Sequence, residues 1–185
     1  MVFRKIRVLL GGRLRLIATG SAPLAPETHE MMRSVLCVDL LQGYGLTETT
    51  ASATLSDISD LSVGRVGPPL RGVKIRLVDW NEGNYRLTDK PHPRGEIVVG
   101  GANVTRGYFK NPELTRDSYL EEGGVMWFYT GDIGQIDSDG ALRIVDRKKD
   151  LVKLQFGEYI SLGKVWERSV CQTRDSFVMF RSNRP

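Results

Sequence analysis

Two short apolar segments on either side of a helical segment constrain the fold of this chain most strongly. Residues 14–19 combine apolar and β-type side chains and end at Gly20-Ser21, whereas residues 38–41 lead directly into Gly43. Residues 27–35, between them, have helical character. A strand, a helix and a second strand joined by short loops are typical of a parallel β-sheet, whose ligands bind at the carboxyl ends of the strands.

The pattern changes near residue 60. Glycine and proline are frequent in residues 64–72, and Asp137-Ser-Asp-Gly140 predicts a hairpin turn. Four short β-rich segments lie at 73–79, 95–99, 124–129 and 141–145. We therefore predict an α/β fold: part of a βαβ parallel-sheet subdomain at 1–60, then a small, mostly antiparallel, barrel-like β-subdomain at 61–146.

Composition excludes several functional classes. Of 185 residues, 41% are hydrophobic and 26% are charged, as in a globular protein, and the net charge of +4 includes no basic block that predicts nucleic-acid binding. No run approaches the roughly 18 to 20 apolar residues that span a bilayer. Residues 1–10 resemble the end of an amphipathic helix terminated by Gly11-Gly12, not a signal peptide. Cys37 and Cys171 lack ligand spacing and are predicted to be reduced, intracellular thiols.

Gly43-Tyr-Gly-Leu-Thr-Glu-Thr49 contains the groups that a nucleotide site needs. Its glycines allow close approach of the backbone to a ligand, and Tyr44 offers a flat face for an adenine ring. Thr47 supplies a hydroxyl donor for a phosphate, and Glu48 is a hard oxygen ligand suited to Mg²⁺. The alternative is a glycine-rich turn before a helix, with Thr47 or Thr49 as the N-cap.

Two later segments also have two interpretations. Tyr129-Thr-Gly-Asp132 ends in a carboxylate that can accept hydrogen bonds from both hydroxyls of a ribose, but it also fits an ordinary turn between strands. Asp146-Arg-Lys-Lys-Asp150, taken alone, is most simply a solvated charged turn after a strand.

Together with Gly20-Ser-Ala-Pro-Leu24, these segments resemble the AMP-forming adenylating superfamily, and most closely its long-chain fatty acid–CoA ligases, the long-chain acyl-CoA synthetases. Lys90-Pro-His-Pro-Arg-Gly-Glu-Ile97 and Val104-Thr-Arg-Gly-Tyr-Phe-Lys-Asn111 are similar to the same group, and the resemblance covers about residues 1–165. It implies ATP or AMP and Mg²⁺ as cofactors, CoA as co-substrate and a long-chain fatty acid as the substrate.

The resemblance also implies roles for single residues. Tyr44 would stack on adenine, Thr47 would hold the α-phosphate, and Glu48 would bind Mg²⁺. Asp132 would hold the ribose 2′- and 3′-hydroxyls, beside Ile144 and Arg147, and Lys149 would be the hinge. The implied catalytic residues are Thr47, Glu48 and Lys149; the implied nucleotide-binding residues are Gly20, Ser21, Ala22, Pro23, Gln42, Gly43, Tyr44, Gly45, Leu46, Thr47, Asp132, Ile144 and Arg147.

By the same resemblance, residues 147–165 would be the hinge and the start of a C-terminal domain, followed by a divergent tail at 166–185. Phe156 stands where the family usually has a small residue. The 185 residues contain neither the family's Ser/Thr/Gly-rich phosphate loop nor its C-terminal lysine motif, so we expect a truncated copy with little or no turnover by itself.

Two alternatives remain open: a truncated, non-enzymatic product that retains nucleotide binding or pairs with a full-length partner, and another acyl-adenylate-forming ligase. Family members associate with the endoplasmic reticulum, the mitochondrial outer membrane or lipid droplets through segments that these residues do not contain, so the cytosol is the alternative location. His29 and His92 have no metal-ligand partner at a useful spacing and are predicted at the surface. Trp80, Trp127 and Phe128 are predicted to be aromatics of the core or of a lid on the barrel, and not a substrate cage.

Overall fold

The computed structural model describes residues 3–153 and 159–161. Its N-terminal part consists of helix α1 (Arg4–Leu9), strand β1 (Leu16–Thr19), helix α2 (Pro26–Leu36), strand β2 (Asp39–Tyr44) and strand β3 (Thr54–Leu55). β1 and β2 pair in parallel from Leu16 opposite Asp39 to Thr19 opposite Gln42. β3 pairs antiparallel with the end of β2. The predicted strand–helix–strand unit is thus confirmed.

Helix α2 places one face on the sheet. Pro26 occupies the first turn, where a missing N–H costs nothing, and Cys37 ends the helix in the left-handed region with a φ of 51°. His29 is only 3% exposed, and its Nε2 lies 3.1 Å from the Leu40 carbonyl oxygen. The prediction that His29 lies at the surface is wrong: polar neighbours such as Glu30 make this helix look solvated, but His29 itself faces β2.

The β-rich part is a five-stranded antiparallel sheet. Its strands are β4 (Val73–Val78), β5 (Arg94–Gly101), β6 (Tyr119–Glu122), β7 (Val125–Ile136) and β8 (Leu142–Arg147), with helix α3 (Pro112–Ser118) preceding β6. β5 lies between β4 and β7. The 12 residues of β7 are enough to pair with β6 near its start and with β8 near its end. The predicted antiparallel sheet is confirmed, as is the hairpin turn at 137–140, which joins β7 to β8.

One hydrophobic core joins the two parts. Its buried members are Ala53, Val66, Leu77, Ile97, Val99, Val104, Tyr119, Phe128 and Leu142. Ala53 comes from the segment before residue 60, so side chains from both predicted subdomains share this core. Phe128 is a core residue as predicted, whereas Trp80 and Trp127 are only half-buried. The division at residue 60 and the other domain boundaries stay predictions.

A short 3₁₀ turn (Lys148–Asp150) follows β8 and leads into the antiparallel pair β9 (Leu151–Lys153) and β10 (Tyr159–Ser161). Phe156, Cys171 and the tail at 166–185 lie outside the described residues. Cys37 is an exposed free thiol. Among the described residues, none of the helices has the length and apolar character that crossing a membrane requires.

Candidate functional site

The carboxyl ends of β1 and β2 form the floor of the site, where Gly20 and Gly45 allow close packing of the backbone. A Cβ atom on Gly20 would lie 3.2 Å from the Gly43 carbonyl oxygen, so the two loops pass close to each other. A Cβ atom on Gly45 would lie 2.4 Å from the Ala51 carbonyl oxygen, closer than real contacts allow. The glycines of the sequence motif therefore allow two turns to pack tightly beside a cavity.

The segment after β2 is a 3₁₀ turn of three residues, Thr47–Thr49, and not the start of a longer helix. The backbone N–H of Leu46 donates a 3.0 Å hydrogen bond to Oγ1 of Thr49, which is fully buried. Thr47 is exposed and Glu48 is half-buried, and both line the same cavity. The turn thus uses Thr49 to hold its own backbone and presents Thr47 and Glu48 to a ligand.

Tyr44, Asp132 and Arg147 meet on one side of this floor. The Tyr44 hydroxyl donates to Oδ2 of Asp132 at 2.8 Å, and Nε of Arg147 donates to Oδ1 at 2.7 Å. Burial, followed by the charge of Asp132, raises the pKa of Tyr44 well above its ordinary value, so Tyr44 stays a neutral donor. The hydrogen bond to Asp132 raises the pKa of Arg147. Asp132 is 2% exposed overall, so this carboxylate is fixed before any ligand arrives.

Two cavities share Tyr44 as a common wall. The first, of about 460 Å³, is lined among others by Ser21, Ala22, Pro23, Gln42, Gly43, Tyr44, Gly45, Asp132, Ile144 and Arg147. The second, of about 660 Å³, is lined among others by Gly20, Ser21, Gly43, Tyr44, Gly45, Leu46, Thr47, Glu48 and Arg147. Every residue that the sequence predicted for nucleotide binding lines one cavity or both. The first opens beside the Asp132 carboxylate and the second extends toward Glu48.

Lys149, the predicted hinge residue, is exposed and lines neither cavity. Its neighbour Lys148 is fixed: Nζ lies 2.5 Å from Oε2 of Glu96, a buried carboxylate whose Oε1 accepts a 3.1 Å hydrogen bond from the Gly131 N–H. The 3₁₀ turn that contains Lys149 is therefore tied through Glu96 to the backbone beside Asp132.

Three residues of the site, Tyr108, Asp150 and Ser161, were not predicted from the sequence. Tyr108 donates a 2.6 Å hydrogen bond to Oε1 of Glu48 from 60 positions further along the chain. Asp150 and Ser161 line the first cavity. No local pattern marks these contacts, because they depend on how the loop after β5 and the β9–β10 pair fold back onto the N-terminal part.

Glu48 has the chemistry that Mg²⁺ requires, although the described residues contain no cluster of three or more potential ligands from His, Cys, Asp and Glu. A single carboxylate is compatible with Mg²⁺, which keeps several waters and takes its other ligands from substrate phosphates. Oε1 of Glu48 is held by Tyr108, and the side chain lines the second cavity. The residues present fit a Mg²⁺ ion bound together with a nucleotide.

The chain is similar to known proteins in sequence and in structure. Residues 4–109 match the family described as AMP-binding enzyme. The chain is 56% identical over 166 residues to long chain acyl-CoA synthetase 8 of Arabidopsis thaliana, covering 89% of this chain and 23% of that protein. It is 47% identical over 161 residues to fatty acyl-CoA synthetase A of Dictyostelium discoideum, covering 87% of this chain and 24% of that protein. Two other relatives from A. thaliana are named as peroxisomal.

Among solved structures, the A domain of a carboxylic acid reductase from Segniliparus rugosus, in complex with AMP and a co-purified carboxylic acid, superimposes with a TM-score of 0.72 at 35% identity. The superposition covers 88% of this chain and 24% of that one. The chain thus spans about a quarter of the length of the proteins it matches, and the expected similarity to long-chain acyl-CoA synthetases is confirmed.

Proposed function

The chain belongs to the family of AMP-binding enzymes, and we propose that it supplies the adenylate-binding part of a long-chain acyl-CoA synthetase. That enzyme would convert ATP, a long-chain fatty acid and CoA into acyl-CoA, AMP and diphosphate. The observation that carries the proposal is the contact of Tyr44 and Arg147 with the buried Asp132 carboxylate, at the junction of two cavities.

In the first cavity, the ring of Tyr44 would pack against adenine. Asp132 would accept hydrogen bonds from the ribose hydroxyls. Each of its carboxylate oxygens already accepts one hydrogen bond from the protein and has a second acceptor position. Ile144 would cover the ribose, and Arg147 would reach the ribose or the α-phosphate while remaining beside Asp132. The turn at 20–23 and Gln42 would form the remaining walls around the base.

In the second cavity, Thr47 would donate its hydroxyl to the α-phosphate and Glu48 would hold Mg²⁺. When bound, Mg²⁺ would neutralise phosphate charge that develops as the fatty acid carboxylate attacks the α-phosphorus. Gly20 and Ser21 also line this cavity, and the acyl carboxylate would approach along them. Lys149 would be the hinge that carries the following domain between the adenylating and the thioester-forming arrangement, because an exposed residue tolerates large changes in φ and ψ.

The 185 residues by themselves would bind nucleotide with little turnover, because they correspond to only 23% of the length of a complete relative. Within a complete protein, the partners would be a fatty acid, ATP and CoA, without nucleic acid. Association with the endoplasmic reticulum, the mitochondrial outer membrane or lipid droplets is proposed only for that complete protein; for the 185 residues alone, the cytosol is the alternative.

Isothermal titration calorimetry of the 185-residue chain with AMP tests the proposal. The variants Tyr44→Ala and Asp132→Ala should lose most of the binding heat, because they remove the proposed stacking surface and ribose acceptor. Asp139→Ala, on the hairpin turn away from both cavities, is the matched control and should bind like the wild type. Equal heats for all four proteins would exclude this nucleotide site.

A further inference from the structure

Tyr108 holds the carboxylate of Glu48, the residue proposed to bind Mg²⁺. The Tyr108 hydroxyl lies 2.6 Å from Oε1 of Glu48. A carboxylate oxygen can only accept a hydrogen bond, so the Tyr108 hydroxyl is the donor in this contact. The backbone of Glu48 is fixed by the same loop, because the Thr105 N–H donates to the Glu48 carbonyl oxygen at 2.8 Å.

The loop that carries Tyr108 is itself anchored. The Tyr108 N–H donates a 2.9 Å hydrogen bond to Oγ1 of Thr115, on helix α3. The ring lies nearly perpendicular to that of Tyr119, with the centroids 5.6 Å apart. A Cβ atom on Gly107, whose φ is 137°, would come within 2.4 Å of the Thr115 side chain, so the loop packs closely against α3. Tyr108 is therefore held in place by groups that do not touch the cavity.

We infer that Tyr108 is a positioning residue for Mg²⁺: its hydroxyl occupies one oxygen of Glu48 and orients the other toward the phosphates of a bound nucleotide. This inference rests on the proposed function, because the ion would be held jointly by Glu48 and the nucleotide. A carboxylate on a half-buried side chain has several rotamers, and a short hydrogen bond to a fixed donor selects one of them. Hydrogen-bond partners of metal ligands commonly change metal affinity by about 10- to 100-fold.

The experiment titrates the 185-residue chain with ATP by calorimetry at a series of Mg²⁺ concentrations. Tyr108→Phe keeps the ring and the backbone hydrogen bond but removes the hydroxyl. We expect the apparent Mg²⁺ affinity of the ATP complex to fall about tenfold, while ATP affinity without Mg²⁺ stays at the wild-type value. A residue with a purely structural role would change both affinities together.

Tyr119→Phe is the matched control, because it removes a hydroxyl that pairs with Thr105 and not with Glu48. It should leave the Mg²⁺ dependence unchanged. In a Glu48→Gln background, adding Tyr108→Phe should have no further effect on the Mg²⁺ dependence, because Tyr108 acts through the carboxylate.

Three results would overturn the role of Tyr108 without affecting the proposed nucleotide binding. The Mg²⁺ affinity of Tyr108→Phe could equal that of the wild type, or Tyr119→Phe could lose as much Mg²⁺ affinity as Tyr108→Phe. In the Glu48→Gln background, Tyr108→Phe could lower the Mg²⁺ affinity further. Failure of Tyr108→Phe to fold where Tyr119→Phe folds would assign Tyr108 a structural role instead. Absence of any ATP binding by the wild-type chain would contradict the proposed function, and with it this role.

Discussion

The hydroxyl of Tyr44 donates a 2.8 Å hydrogen bond to Oδ2 of Asp132, 88 positions away in the sequence. The contact joins the end of the parallel strand β2 to the antiparallel strand β7. Arg147, on the neighbouring strand β8, donates a hydrogen bond to the other carboxylate oxygen of Asp132. Because Asp132 is almost wholly buried, the loss of either donor would leave a buried oxygen without that hydrogen bond.

Tyr44→Phe separates the ring from the hydroxyl. It leaves the flat face next to the first cavity and removes one donor from the buried Asp132 carboxylate. We expect the free energy of unfolding to fall by about 1–3 kcal/mol, as for a hydrogen bond to a charged group, with AMP affinity reduced only a few-fold. Urea denaturation and calorimetry measure the two quantities. A loss of AMP binding as large as that in Tyr44→Ala would assign the effect to the hydroxyl and not to the ring.

Lys148→Met tests the connection between the 3₁₀ turn at 148–150 and Asp132. It removes the cation from the buried Glu96, whose Oε1 holds the Gly131 N–H. The expected loss is about 1–3 kcal/mol, below the cost of breaking a fully buried pair because the Lys148 side chain is 27% exposed. Amide hydrogen exchange at Gly131 should also become faster.

Lys149→Met, one position along, is the matched control for that experiment. The Lys149 side chain is exposed, so the free energy of unfolding of this variant should differ from the wild type by less than about 0.5 kcal/mol. The exchange rate of the Gly131 amide should stay at the wild-type value. If both variants lost the same stability and showed the same exchange at Gly131, the contact between Lys148 and Glu96 would contribute nothing beyond the positive charge of a lysine.

Arg65→Met tests an ion pair outside the site. The hydrogen bond from Arg65 lowers the pKa of Asp60 from 3.8 to about 2. A lowered folded-state pKa means that the pair stabilises the fold above pH 3.8 and that this contribution is lost as the pH falls toward 2. Urea denaturation should show Arg65→Met less stable than the wild type by up to about 1 kcal/mol at pH 6, and equally stable near pH 2. A difference independent of pH would contradict this account, and the exposed Arg71→Met serves as the control for lost charge.

Gly45→Ala tests whether the site depends on close packing of its turns. The added Cβ atom would lie 2.4 Å from the Ala51 carbonyl oxygen, so the backbone on one side must move. We expect a loss of about 1–3 kcal/mol and weaker AMP binding, because the displaced turn contains Thr47 and Glu48. Thermal unfolding and calorimetry measure both effects, and unchanged AMP affinity would show that this turn lies outside the site.

Local patterns in the sequence predict many of the elements, and the family resemblance predicts which turns meet. The helices α1 and α2, the strands β1, β2, β4, β5, β7 and β8, and the hairpin turn at 137–140 follow from apolar runs and turn residues, whose effects act over a few positions. Strands β3 and β6 and helix α3 were not predicted. The approach of Tyr44 to Asp132 was implied by the resemblance alone. Composition and spacing cannot place two residues 88 positions apart in contact.

What could not be predicted are the contacts set by packing. Tyr108 reaches Glu48, and Lys148 reaches Glu96, only because loops and strands that are distant in the sequence pack together. His29 is a second example of a feature set by packing. Its polar neighbours predict a surface position, but the packing of α2 on β2 buries it. A side chain's orientation follows from what its element packs against.

The most direct test of the central claim is an amide-detected NMR titration of the 185-residue chain with AMP. The account predicts that three separate segments, 20–21, 43–46 and 131–132, shift together and saturate with a single dissociation constant, while amides of β4 such as Lys74 stay unchanged. Shifts confined to one segment, or segments that saturate at different AMP concentrations, would contradict the binding of one adenylate by turns from both parts of the fold.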